Sequence, residues 1–286
     1  MWAMHPNVAR QMWARFEPIH AVTYFTPEAR AAYEEVGLRG YWRGYFAGRW
    51  APLGPVDAPI AVATAYGFAP AMVQRALPDV WTRAAPETAL AARSAGATAA
   101  LIRMLADIDL DTLDEMVELA EAAAALLEPA GRPIGAANLA LPRSGHPLTR
   151  LWQVATTMRE YRGDGHVAAL LTHGFSGVES AVWRTEPEFR AEYQSYRGWT
   201  DEEWDGAVAS LQARGWMDES GQPTEAGIAT YTRVEDATDR AALHPWERLG
   251  AEPTERLRDL LTPLAAVTFA AIPDVNPVHL PDPRTA

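Results

Sequence analysis

LQARGWMDESGQPTEAGIATY, residues 211–231, is the stretch whose reading decides the fold. A helix closes on Leu-x-x-Arg-Gly at Gly215, a short strand follows, and a glycine-containing tip reverses the chain at residues 219–223. Thr224-x-x-Gly227 then opens another helix. Helix, hairpin and helix in that order read as a winged helix-turn-helix, with residues 219–223 as its wing. Just upstream, Ser176-Gly-Val-Glu179 and Thr200-Asp-Glu-Glu203 are capping boxes, each using a hydroxyl and a carboxylate to satisfy the free amides of a helix start.

Outward from this stretch, apolar residues recur at helical rather than alternating spacing. Thr26-Pro27 places a cap and a first-turn proline ahead of a helix that stops at Gly37. LRGYWRGYFAGRW, residues 38–50, is aromatic nearly all round, which predicts burial on most faces. Prolines bound short helices near 69–77 and 80–84. Two alanine-rich helices are expected at about 87–106 and 111–127, and a third at about 148–162. The third runs into a glycine break and resumes over 166–173, while the proline-rich tail from Pro273 reads as extended. The expected fold is mainly α: an N-terminal helical domain (1–146), a winged helix-turn-helix-like domain with a small β-hairpin wing (147–250), and a C-terminal helix and tail (251–286).

Composition removes several kinds of chemistry. The chain of 286 residues has no cysteine, which excludes disulfides, thiolate nucleophiles and cysteine metal sites. All 25 basic residues are arginine, so neither a lysine Schiff base nor a P-loop lysine can exist. No Gly-x-Ser-x-Gly elbow is present. No signal-like or membrane-length apolar run occurs either, so a cytoplasmic protein without a membrane partner is expected. A formal charge of −12 repels polyanions. The helix before the wing opens with Asp201, Glu202, Glu203 and Asp205 where a DNA reader would place its base contacts. Between Arg197 and Arg248 five arginines face eleven acids. Nucleic acid is therefore disfavoured as a partner, because phosphate neutralisation supplies most of such affinity. A homodimer through the winged helix is compatible with the sequence.

The densest chemistry lies in REYRGDGHVAALLTH, residues 159–173. Gly163 and Gly165 each weaken a helix by about 1 kcal/mol relative to alanine, which predicts a break that frees Arg162, Asp164 and His166 from a regular face. Arg159 and Arg162, three residues apart, could clamp a carboxylate or phosphate, or close an internal network with Glu160 and Asp164. His166 is the candidate for proton transfer, oriented by Asp164 or Glu160; its competing role is a core histidine held by a backbone carbonyl. A metal set of His166, Asp164 and His20, or haem on His166 or His20, has no supporting spacing, and no cofactor is expected. A second group, His20, Tyr24, Phe25, Tyr41, Trp42, Tyr45, Phe46, Arg49 and Trp50, either lines a pocket for a small organic ligand or is plain core.

The strings EPIHAVTYF, GYFAGRWAPLGPV, the FAP of Phe68 to Pro70, REYRGDGHVAAL, RGWTDEEW and LQARGW together resemble an actinobacterial family of helix-turn-helix domain proteins. The likeness runs over residues 20–250, and RGDGHVAAL at 162–170 is its most specific part. It implies a winged helix fused to a helical domain and supplies no catalytic residues. The family pattern has a histidine where Tyr161 stands here, which counts against a two-histidine site on this helix.

The resulting expectation is a small-molecule-binding protein and an enzyme that applies cofactor-independent acid–base chemistry to an aromatic or anionic organic substrate. His166, Asp164 and Glu160 would be catalytic; Arg159, Arg162, His20, Tyr24, Tyr45 and Arg49 would bind. The alternatives are a ligand-responsive winged-helix regulator and a protein that sequesters its ligand without turnover.

Overall fold

A computed structural model describes residues 5–273, 280 and 282–285. Helices dominate. The N-terminal part runs α1 (Asn7–Phe25), α2 (Pro27–Glu35), α3 (Tyr41–Trp50), α4 (Ala58–Thr64), α5 (Pro70–Ala76), α6 (Pro86–Met104), α7 (Leu113–Ala124) and α8 (Pro133–Leu139). Proline occupies the first turn of α2, α4, α5, α6 and α8, where its missing N–H costs nothing and its fixed φ suits the helix. The chain continues through α9 (Pro147–Thr172), α10 (Gly177–Trp183), α11 (Arg190–Arg197), α12 (Asp201–Ala213), α13 (Glu225–Ala242), α14 (His244–Leu249) and α15 (Ala251–Phe269). The proline-rich tail falls almost wholly outside the described residues.

Helix α9 is the spine of the molecule. Its buried positions, among them Leu151, Trp152, Ala155, Thr156, Glu160, Tyr161, Arg162 and Gly165, lie on every side, as expected of a helix enclosed by neighbours. Its first half packs with α1, α6 and α7 and shares with α14 and α15 a core that holds Phe16, Leu101, Val117, Trp152, Trp246 and Leu261. Burying a side chain of the size of Leu151 contributes about 1.5–3 kcal/mol. A second core, with Phe46, Trp50, Phe68, Val73 and Leu77, joins α3, α4 and α5. The end of α9 supplies Ala169 and Leu170 to a third core with Phe175, Val182, Trp204, Leu211, Met217 and Val234.

The break expected at Gly163 and Gly165 does not occur, because α9 runs through both glycines. A Cβ on Gly165 would lie 2.0 Å from Arg132 Nη1. That guanidinium crosses α9 there, donating to Tyr161 O (2.9 Å) and Ala241 O (2.7 Å) and stacking on the Tyr161 ring. The glycine is needed for a side chain's passage, not for a bend. A Cβ on Gly163 would meet nothing closer than 3.8 Å.

The third core encloses the segment whose order of elements reads as a helix-turn-helix unit. Both capping boxes form, at Ser176/Glu179 and Thr200/Glu203. Glu179 also accepts from Ser210 Oγ (2.7 Å) and from Arg214, and so ties α10 to α12. The wing is smaller than a regular hairpin: one antiparallel bridge pairs Met217 with Pro223, and Asp218 organises the tip by accepting from the amides of Ser220 and Gln222 (both 2.9 Å). The outer face of α12 carries exposed Asp201, Glu202 and Asp205, and the wing exposes Asp218 and Glu219. Arg190 pairs with Asp205 (2.7 Å), and Arg214 is spent inside the unit on Glu179 and Gly174 O. Among the described residues no helix is long and apolar enough to cross a membrane.

Candidate functional site

Between α1, α3, α9 and α11 lies a cavity of about 420 Å³. Tyr24, Phe25, Tyr41, Trp42, Tyr45 and Phe68 form its aromatic walls, and Glu17, Arg49, Arg159 and Arg197 its charged side. Helical spacing explains the lining: Tyr41, Trp42, Tyr45 and Arg49 recur at three- and four-residue intervals and so share one face of α3. The opposite face, with Phe46, Ala47 and Trp50, is buried in the second core. The aromatic segment expected to be buried on most faces is thus divided between core and cavity. Tyr45 meets Tyr24 at 5.0 Å and Phe68 at 5.5 Å between ring centres. A smaller lobe of about 150 Å³ is lined by Tyr66, Gly163, His166, Val167, Ser180, Arg184 and others, and Arg49, Phe68, Arg159 and Arg197 form a wall that lines both lobes.

Two carboxylates anchor that wall. Arg49 makes a two-pronged contact with Glu160 (Nε–Oε1 3.0 Å, Nη2–Oε2 3.2 Å) and donates to Tyr45 Oη (3.0 Å). Arg159 pairs with Glu160 at 2.9 Å and with Glu17 at 3.3 Å, and Glu17 also accepts from Trp13 Nε1 (2.8 Å). Both carboxylates are 2 % exposed. Burial alone would push the Glu160 carboxyl up; Arg159 and Arg49 outweigh it and hold it at about 2. Arg49, Arg159, Glu17 and Glu160 therefore sum to zero charge.

Arg197 stands outside this balance. Its guanidinium stacks on Phe68 at 4.4 Å and forms no ion pair or hydrogen bond with any described residue. Burial lowers its pKa, and Arg184, Arg49 and Arg159 lower it further; the one group that works the other way is the Tyr45 phenol. A cavity wall with one guanidinium in excess among the described residues, surrounded by rings, is suited to an organic anion.

His166 faces the smaller lobe. Its Nδ1 lies 2.9 Å from Thr238 Oγ1. That hydroxyl donates its only hydrogen to Val234 O (2.8 Å), so Nδ1 carries the proton and Nε2 keeps its lone pair. Burial pushes His166 down to about 3 despite Glu235 at 3.9 Å, with Arg184, Arg162 and Arg159 adding to the shift. The ring is neutral.

The structure separates the residues that the sequence groups together. Tyr24, Tyr45, Arg49 and Arg159 line the larger lobe, and His166 the smaller. Arg162 is on the α13 side of α9, bound to Glu235 and Asp239 (both 3.3 Å) and stacked on Trp13, so it forms no clamp with Arg159. Asp164 points the opposite way and accepts from the amides of Ile134 (3.0 Å) and Gly135 (2.8 Å) at the start of α8. Burial pushes its carboxyl up to about 6 against those two amides. Glu160 is committed to Arg49 and Arg159, so neither carboxylate orients His166; Thr238 does. His20 is enclosed, with Nδ1 at 3.0 Å from Thr156 Oγ1 and Nε2 buried without a partner, and it lines neither lobe. Thr156 and His166 are ten residues apart on α9, roughly 15 Å along the axis, so the two histidines do not converge on one metal or haem. Among the described residues no three His, Asp or Glu side chains cluster as metal ligands.

Sequence reasoning missed Arg197, Thr238 and Glu17. The signal for Arg197 was its place in RGW directly before the capping box. Gly198 (φ 75°) ends α11 in the left-handed conformation and turns the chain into α12, which fixes the arginine on the last helical turn. A wider groove of about 620 Å³ lies between α1 and the wing, but its Arg10 is already paired with Asp239 at 2.7 Å.

A family model described as a helix-turn-helix family matches residues 9–273, and the chain belongs to that family. No curated protein and no solved structure matches the chain.

Proposed function

We propose that this helix-turn-helix protein binds a small organic anion with an aromatic body in the cavity between its N-terminal helices and its helix-turn-helix unit. One observation carries the reading: Arg197, the only one of the three wall arginines without a carboxylate among the described residues, faces a ring-lined void. A carboxylate there would form a paired contact with the guanidinium, and its ring would pack on Tyr24, Tyr45 and Phe68. Calorimetric titration with aryl carboxylates, from benzoate to naphthoate, tests it. Binding by the native protein and a loss of about tenfold or more in Arg197→Ala are expected; affinity for neutral aryl amides equal to that for the acids would refute the reading.

Catalysis is the enzymatic form of the same proposal, with His166 Nε2 as proton acceptor. The tautomer set by Thr238 favours it. A pKa of about 3 opposes it, since a general base works best near the ambient pH. Loss of turnover with ligand affinity retained in His166→Ala would support this form, and product formation unchanged by the substitution would remove it.

A ligand-responsive regulator is the second reading, favoured by family membership and by the short link from Arg197 through Gly198 and Trp199 to the start of α12. The exposed acids of α12 work against a DNA duplex. Electrophoretic mobility shifts at low salt with the gene's own upstream DNA would show salt-sensitive binding under this reading and none under simple ligand binding.

A further inference from the structure

The smaller lobe has a polarity that the arginines alone do not explain. Three of its neutral polar groups have already spent their hydrogens. Tyr66 donates its hydroxyl hydrogen to Phe175 O, Ser180 Oγ donates to Gly177 O at 2.8 Å, and His166 gives its Nδ1 proton to Thr238. Each donation is fixed by a backbone carbonyl, or for His166 by a hydroxyl whose own hydrogen goes to Val234 O. What these three groups can still offer a guest is lone pairs: Tyr66 Oη, Ser180 Oγ and His166 Nε2. Guanidinium donors also face this lobe: Arg184, together with Arg49, Arg159 and Arg197, which line the aromatic cavity as well.

A guest that brought only an anion and a ring would leave those acceptors without a partner in a site it had just sealed from water, which is unfavourable. A guest that also carries a hydroxyl or amino group satisfies both sides at once. We infer that the ligand is an aryl carboxylate bearing a hydrogen-bond donor: its ring lies in the larger lobe, its carboxylate on Arg197, and its hydroxyl or amine on His166 Nε2 in the smaller lobe. This rests on the anion-binding reading and narrows it to hydroxylated or aminated acids.

Matched pairs test it: phenylpropionate against phenyllactate, and naphthoate against hydroxynaphthoate, by calorimetric titration of the full chain. In at least one pair the hydroxylated acid should bind about tenfold or more tightly, and His166→Phe should bring the two members of that pair within about twofold of each other by weakening the hydroxylated one alone. Hydroxylated and plain acids that bind the native protein equally well in both pairs would overturn the inference and leave anion binding intact; no binding by any acid would instead overturn the anion-binding reading beneath it. Should His166→Phe fail to fold, the imidazole nitrogen NMR signals of the native protein decide. His166 Nε2 should resonate as an unprotonated nitrogen in the free protein and shift as a hydrogen-bond acceptor when the tightest hydroxylated acid binds. A proton on Nε2 in the free protein would end the proposal.

Discussion

Arg159 and Arg162 are three residues apart on one helix, and the two sides of α9 they serve differ in kind. On the α13 side, Arg162 sits between Glu235 and Asp239, stacks on Trp13 and shares its acids with Arg10. That side joins α9 to α13 and α1. On the cavity side, Arg159 and Arg49 are balanced by Glu17 and Glu160, but Arg197 arrives from α11 without an acid of its own among the described residues. The same residue types make a lock where charges cancel and a candidate receptor where one is left over. Buried ion pairs add little net stability yet are costly to break, so removing a paired charge and removing the excess one should have opposite effects.

The sharpest way to break the comparison is Glu160→Gln. It removes the one carboxylate that Arg49 pairs with among the described residues and leaves Arg159 only Glu17, and a loss of about 3–5 kcal/mol in urea denaturation is expected. A loss below about 1 kcal/mol would mean that the wall is solvated and not a closed assembly.

Acid should act next. His166, at about 3, and His20, well below the ordinary value, are both pushed down first by burial and are neutral in the folded state. Their contribution is fully present above the unfolded value of about 6.5 and is lost as pH falls below it, for His166 down to about 3, because only the unfolded chain takes up those protons. His166 should cost about 2 kcal/mol between pH ~7 and pH ~5, and His20 acts in the same direction. Asp164, raised to about 6, has the opposite sign: its contribution is lost as pH rises through that value. Since Asp164 is unchanged in His166→Phe, the difference between the two proteins isolates His166. Parallel pH–stability curves for native and variant proteins would show that its ring is not buried neutral.

The two glycines sharpen the picture of the spine at smaller cost. Gly165→Ala should lose about 1–2 kcal/mol by displacing Arg132 from its two carbonyls. Gly163→Ala should gain up to about 1 kcal/mol from helix propensity, since its Cβ has room. A flexible break would make both substitutions behave alike in thermal melts.

Smallest is Arg197→Met. Removing a guanidinium that burial and three other arginines disfavour should raise stability by up to about 1 kcal/mol while anion affinity falls. Destabilisation by more than that would show a structural partner for Arg197 and end its role as an anchor.

Much of the fold was legible in the chain. Capping boxes, first-turn prolines and helical periodicity are local signals, and Thr26, Ser176 and Thr200 cap where the sequence placed them. The site was half legible. Tyr45 and Arg49 could be grouped because α3 spaces them on one face, and His166 could be suspected from its composition alone. The grouping of Arg162, Asp164 and His166 was mistaken because the glycines read as a break. On an unbroken helix, residues two apart point about 200° from each other, which sends Asp164 to α8 and leaves Arg162 and His166 facing α13.

Sequence by itself determined the helices, their caps, the helix-turn-helix order and the chemistry available, because each depends on neighbours within a few residues. Only the tertiary structure decided which charge has a counter-charge: Glu160 and Arg49 are 111 positions apart, and the Thr238 that sets the proton of His166 lies 72 positions away. Coulombic balance and tautomer are properties of what surrounds a group in space, and no local pattern encodes them.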